Sequence, residues 1–327
     1  MTNSLISRQP LTHPWQGQDP FLFAVHHLDH YPAGNGQLGL RPEDLAKQGE
    51  GWSMYHGKDV PGFPAHPHRG FETVTIVLKG LVDHADSLGG AARYGEGDVQ
   101  WLTTGAGVEH GEMFPLTKTD GPNTLELFQI WLNLPPEQKM AEPDFDVFWA
   151  ETIPVVEQDG ARVSVIAGAF DAVHPLSPPK ASWAALPENH LAIWLIDLEA
   201  GASLTLPTTT AGILRRGYVF EGAVTLDGQS QPPGHQLNLD PALASHLTNQ
   251  GQEKVRLLVL QAKPIGAPVL QHGPFVLNSR EEMIATIQDY QSKGFGHWPW
   301  NSPEQTHGTE GRFVLYPDGR RLTPPDN

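Results

Sequence analysis

The chain has 327 residues, 39% of them apolar, enough for two domains that each bury a core. Its 21 basic and 37 acidic residues give a formal charge of −16, which repels phosphate backbones and argues against direct nucleic-acid binding. Cysteine is absent, so disulfides, thiolate nucleophiles and cysteine metal sites are excluded. No apolar run reaches the ~18 residues of a membrane span, and the first twenty residues lack the apolar core of a signal peptide, so a cytoplasmic location is the default expectation.

Glycine (34) and proline (30) make up about a fifth of the chain, against a usual ~12%. Many short strands joined by tight turns use these residues in this way. In chain order, residues 1–65 read as mostly irregular, with a short apolar stretch FLFAVHHLDHYP and a polar segment after it. From about 71 the pattern turns to strands. TVTIVLKG (73–80) is rich in β-branched residues, and LVDHAD (81–86) follows Lys79-Gly80, a predicted hairpin turn. GEGDVQWLTTGAGVEHGEMF gives two more strands, broken at Thr104-Gly105-Ala106-Gly107, and LELFQIWLNLP (125–135) is another. Strands every ten residues or so, with glycine turns between, predict a sandwich or barrel.

The segment 135–154 shifts to proline and acidic residues and reads as a connector. A second set of strands follows, and GYVFEGAVTLDG (217–228) resembles TVTIVLKGLVDH (73–84), which suggests an internal duplication. One helix is marked in SREEMIATIQDYQSKG: Ser279 and Glu282 form a predicted capping box, Met283, Ile284, Ile287 and Tyr290 one packing face, and Gly294 the stop. The last thirty residues or so read as an extended tail lying on a domain or partly free.

The chemistry centres on GFPAHPHRGFETV. His66 and His68 are spaced i, i+2, so in an extended segment both imidazoles face one way. In GAGVEHGEMF, His110 and Glu112 share that spacing. If 108–114 is a strand next to the first, all four side chains meet at one point. Three imidazoles and a carboxylate suit a divalent first-row metal. On an octahedral ion they leave two positions open; on tetrahedral zinc they close the shell, as in a structural site. With 16 histidines in the chain, one H-x-H pair arises easily by composition, and the second pair is what raises the metal reading. Arg69 reads equally as an anion-stabilising group near the metal or as a surface ion-pair partner. Trp101, Phe128 and Trp131 are assigned to core packing. Gln129 alternates with Phe128 and Ile130, so it can point into a polar cavity.

GFPAHPHRGFETV, GDVQWLTTGAGVEHGEMF, QIWLNLP, KMAEPDF and the late GPFVLNSREEM together resemble the pirin family of the cupin superfamily. The resemblance is dense over 62–145 and returns at 273–284. It implies an all-β bicupin: two antiparallel β-barrel domains of jelly-roll type, face to face, with a few short helices. The expected boundaries are 1–145 for the metal-bearing N-terminal cupin, 146–290 for a C-terminal cupin without metal ligands, and 291–327 for the tail. On the family pattern His66, His68, His110 and Glu112 hold one metal, most often Fe(II), with manganese, nickel, cobalt, copper and zinc as alternatives. The general cupin pattern also has a glutamate soon after H-x-H, and Glu72 stands there as a competing or supporting carboxylate. Between DPFLF and GFP the chain carries a longer segment (24–61) than is typical of pirins, with His26, His27 and His30, readable as a surface loop or as a lid.

Three functions follow from the resemblance. The first is a flavonol-cleaving enzyme of the quercetin 2,3-dioxygenase (flavonol 2,4-dioxygenase) type, in which Glu112 takes the proton of the 3-hydroxyl, O₂ opens the ring and carbon monoxide leaves. The second is a redox-sensitive regulator that binds a protein partner, either a transcription regulator or a metabolic enzyme. The third is a structural-metal protein without turnover. The enzyme reading is preferred, with a small aromatic molecule such as a flavonol as substrate.

Overall fold

The computed structural model describes residues 3–325. Strands dominate, and the described residues contain one α-helix, Arg280–Lys293, and a few single 3-10 turns. The fold is all-β, with antiparallel sheets in two compact units. Its compact units interleave: residues 3–24 belong with Thr152–Gly266, and Val25–Glu151 belongs with residues 267–325. Consecutive blocks ending at 145 and 290 were expected instead. The difference arises because the first strand, Leu5–Pro10, pairs with His235–Leu239, while helix and tail pack with residues 25–151.

The barrel of residues 25–151 and 267–325 is built from two sheets. One runs in the order Asp144–Phe148, Val99–Thr103, Phe71–Lys79, Asn123–Asn133, Phe21–Tyr31. The other runs Arg321–Leu322, Phe313–Leu315, Ala91–Gly95, Leu81–Asp86, Val108–Met113, Gly62–His68. Alternate residues of the strands turn inward to a core that includes Val77, Val82, Tyr94, Leu102, Val108 and Leu127, as the two-residue side-chain period of a strand requires. The barrel of residues 3–24 and 152–266 repeats the plan with a seven-stranded and a four-stranded sheet around Val163, Trp194, Val219, Leu237 and Val259.

Lys79-Gly80 does not close a hairpin. Phe71–Lys79 lies in one sheet and Leu81–Asp86 in the other, so Gly80 is a corner that carries the chain between sheets. Leu214–Glu221 and Val224–Leu226 divide between sheets in the same way around Gly222. Both glycines have positive φ, 80° and 67°. A Cβ on Gly222 would lie 2.4 Å from the Lys254 carbonyl oxygen. Gly222→Ala is therefore expected to destabilise its barrel by about 2 kcal/mol, the upper end of the left-handed penalty of a Cβ-bearing residue; a urea midpoint equal to wild type would refute this. The repeated corner supports the duplication suggested by residues 73–84 and 217–228.

Other expectations are refined. The stretch 135–154 is not all connector, because Asp144–Phe148 is an edge strand paired with Val99–Thr103. The segment 24–61 is neither a free loop nor a lid as a whole. Its first part belongs to the strand Phe21–Tyr31, and Leu40, Trp52 and Met54 join the core. His26 stacks on Phe128 with ring centroids 4.5 Å apart, and His27 Nδ1 lies 2.7 Å from the Tyr55 hydroxyl. The tail lies on its own barrel: Phe313–Leu315 pairs with Ala91–Gly95, and Ala65 N–H donates to the Pro303 carbonyl at 2.9 Å.

The helix has its capping box, with Ser279 accepting from Glu282 N–H, and it ends at Gly294. Its face is shifted from the expected one: Met283 and Thr286 are buried, whereas Ile284 is 45% exposed. Thr286, on the other flank of Met283, joins the buried face instead, its hydroxyl 3.4 Å from Arg69 Nη1.

Candidate metal centre

Gly62–His68 and Val108–Met113 are neighbouring antiparallel strands, and His66 stands directly opposite His110. Strand parity then places His68 and Glu112 on the same face as their partners. The nitrogens of His66, His68 and His110 lie within 4.8 Å of one another, a spacing that could hold a metal ion. Ring centroids are 4.7 Å apart for His66–His68, 4.5 Å for His66–His110 and 4.9 Å for His68–His110.

Each ring is oriented by its surroundings. His66 Nδ1–H donates to the Pro64 carbonyl at 2.8 Å, and His68 Nδ1–H to that of Pro274 at 3.4 Å. Both bonds leave Nε2 with its lone pair, the arrangement common to metal-binding histidines. His110 is fully buried and neither of its ring nitrogens has a hydrogen-bond partner. A buried imidazole left so is costly, and a metal ion satisfies it. Burial pushes the His66 imidazole down to about 4 and those of His68 and His110 well below their usual range. The trio is neutral at pH 7, which is the ligating form. The donor set therefore fits a divalent cation.

Glu112 closes the group. Its Oε2 lies 3.6 Å from His110 Nε2. Gln129 Nε2 donates to both carboxylate oxygens, at 3.1 and 2.9 Å, and the Thr75 hydroxyl to one at 3.4 Å. Burial raises the Glu112 carboxyl above its usual range. Gln129 thus points into the polar interior, as alternation predicted. Trp131 is more than core packing: its ring lies 5.3 Å from His68 and stacks at 4.1 Å on Phe71. His84, not singled out from the sequence, is fully buried with its ring 5.5 Å from His110, and its Nε2–H donates to Asp86 at 3.1 Å. The H-x-D spacing in LVDHAD was the signal for it.

Glu72 is not part of this group. Phe71 and Thr75 face the histidines and Glu112, so Glu72, between them in register, turns to the opposite face. There its Oε1 accepts from Trp101 Nε1 at 3.0 Å and from the Thr103 hydroxyl at 2.7 Å. Arg69 also turns away. It pairs with Asp289 at 2.6 Å, donates to the Ala106 carbonyl at 2.7 Å and lies 4.1 Å over the Phe295 ring, which fastens the helix to the barrel.

Close to Arg69, Lys139 is buried, its Nζ donating to the Gly70 carbonyl at 2.7 Å and to Asn133 at 2.5 Å. Desolvation lowers its ammonium to about 7, whereas an unfolded lysine titrates near ~10.4. Between those values the unfolded chain binds the extra proton, so stability rises with pH and is lost as pH falls toward 7. Urea midpoints are expected to climb between about pH 7 and 9.5 in wild type and to stay level in Lys139→Met; a level wild-type profile would contradict the burial of this charge.

Known proteins resemble this chain in sequence and in fold. The Pirin family model matches residues 8–132, and that of the pirin C-terminal cupin domain residues 193–296. A Pseudomonas aeruginosa protein provisionally named quercetin 2,3-dioxygenase is 36% identical over 235 residues, covering 71% of this chain and 79% of its own. A pirin-like protein of Solanum lycopersicum is 34% identical over 235 residues, covering 70% and 75%. The crystal structure of quercetin 2,3-dioxygenase from Acinetobacter baumannii superposes with a TM-score of 0.71 at 27% identity, covering 91% of this chain and 99% of that one. The two family-model matches, the shared fold and the extent of these identities place the chain in the pirin family.

Proposed function

We propose that this pirin is a metal-dependent flavonol dioxygenase of the quercetin 2,3-dioxygenase type, with one Fe(II) held by His66, His68, His110 and Glu112. The observation that carries the reading is the trio of converging imidazoles, His68 and His110 buried and His66 half-buried, with His110 lacking any hydrogen-bond partner and a carboxylate beside it. The names of the Pseudomonas and Acinetobacter relatives support the substrate class. Manganese, nickel, cobalt, copper and zinc suit the same donors, and the donor types alone do not select among them.

When bound, the metal supplies Lewis acidity and redox chemistry with O₂ for an electron-rich hydroxylated ring. The chain's own residues do the remainder. Glu112 receives the proton of the flavonol 3-hydroxyl, and Gln129 holds that carboxylate by both oxygens. Trp131 and Phe71, stacked beside His68, form an apolar wall that keeps water from the reacting ring.

Oxygen uptake by the iron-loaded protein with quercetin tests this. Wild type is expected to consume O₂ and release carbon monoxide in equal amounts, and His110→Ala to do neither. Iron bound at one per chain with no uptake on any flavonol would overturn the enzymatic reading.

A further inference from the structure

The barrel of residues 3–24 and 152–266 lacks the histidine cluster but has a cavity of about 560 Å³ of its own, within the range of small-molecule sites. Arg215 lines it. Arg215 stands opposite Gln261, in step along their strands with Gly217 opposite Val259 and Val219 opposite Leu257. Val219, Leu257 and Val259 belong to the core, so Arg215 and Gln261 continue the interior face where its apolar run ends.

Arg215 is 1% exposed. Its Nε donates to Gln261 Oε1 at 2.7 Å, and its Nη2 to the same oxygen at 2.5 Å and to the Pro207 carbonyl at 2.6 Å. Nη1 has no partner. None of these acceptors is a carboxylate, so a full positive charge sits inside the barrel without a counter-charge. Such a charge is costly to bury, and its field is weakly screened there. Desolvation alone lowers the guanidinium to about 10, which leaves it charged at pH 7. Asp171, the one carboxylate among the lining residues, is exposed and makes no ion pair with it.

The surroundings define the rest of a ligand. The Trp194 ring centroid is 5.6 Å from the guanidinium carbon. Leu191 and Pro187 line the cavity beside it, and the Thr209 hydroxyl, 3.2 Å from His190 Nδ1, adds a polar group. The corner glycines fix the level of this site. Seven positions before Gly80 stands Thr73, opposite Trp131 next to the histidine cluster; seven before Gly222 stands Arg215. Where one barrel gathers metal ligands, the other holds a cation of its own.

We propose that this cavity binds a small monocarboxylate with a flat apolar body, of benzoate size. The carboxylate is received by the Arg215 guanidinium and the Thr209 hydroxyl, and the ring by Trp194 and Leu191.

Calorimetric titration of the full metal-loaded chain with benzoate, and with the neutral isostere benzamide, is the test. Benzoate is expected to bind one per chain at least about tenfold tighter than benzamide, the value of one charge-assisted contact. Arg215→Met is expected to remove the difference. Leu186→Glu adds a negative charge at an exposed lining position and is expected to weaken benzoate alone, which decides the matter should Arg215→Met not fold. Equal affinity for the two probes in wild type, no binding of benzoate, or benzoate binding unchanged in a folded variant would each overturn the proposal.

Discussion

Replacing His110 with alanine is expected to lower metal affinity by more than about 100-fold, because removing a ligand exceeds the 10–100-fold cost of disturbing a group behind one. The reason lies in how His110 is placed. It faces His66 across two paired strands, lies within 5 Å of both other imidazoles by ring centroid, and has no hydrogen bond that competes for its nitrogens. A ligand that binds only the folded chain stabilises it by about 2.7 kcal/mol at one hundred times its Kd. Wild type should therefore show a metal-induced rise in Tm that His110→Ala lacks at the same concentration. The variant should otherwise fold, since the imidazole it loses is bonded to nothing else. Equal metal-induced shifts in both proteins would remove His110 from the ligand set.

The second large effect is on stability. Asp83 and Arg93 form a fully buried, two-pronged ion pair, Nε to Oδ1 at 2.6 Å and Nη2 to Oδ2 at 2.7 Å. Around it the tail is tied down. Arg93 Nη1 donates to the carbonyls of Gly308 and Glu310 at 2.9 and 2.6 Å, and the His307 N–H donates to Asp83 at 2.9 Å. Asp83→Ala leaves the guanidinium buried and unpaired and is expected to cost about 3–5 kcal/mol, roughly 6–20 °C in the Tm of a unit of this size. The tail should loosen with it, giving faster amide exchange at residues 307–315. Replacing both residues with apolar ones of similar volume should recover part of the loss, because the penalty comes from the orphaned charge. A loss below 1 kcal/mol in Asp83→Ala would show that the pair is relieved by water.

The convergence of the candidate metal ligands was readable from sequence because strand parity is local. Once Gly62–His68 and Val108–Met113 are extended, H-x-H and H-x-E each present one face. Parity also led to Gln129, whose amide holds Glu112, and it separates Glu72 from Phe71 and Thr75. Pairing between distant strands was not readable in the same way. His84 and Trp131 reach the cluster only because Leu81–Asp86 lies beside Val108–Met113 and Asn123–Asn133 beside Phe71–Lys79. Lys79-Gly80 looked like a hairpin because a positive-φ glycine serves equally to reverse a chain and to carry it between sheets; the turn residues do not specify which. The interleaving of the two units was hidden for a related reason. Proline and charge mark where a chain turns outward, but the strand Leu5–Pro10 and the tail are assigned to barrels by partners more than 200 residues away. On the helix, Ile284 is exposed while Thr286, which meets Arg69, is buried, and hydrophobic spacing alone carries no information about Arg69.

The proposed function rests on a single metal ion bound among His66, His68, His110 and Glu112. An anomalous difference map from crystals of the iron-loaded protein, recorded at the iron edge, tests it most directly. One peak per chain is expected, in bonding contact with all three imidazoles and the Glu112 carboxylate. A peak elsewhere, or bound iron that leaves His110 without contact, would contradict it.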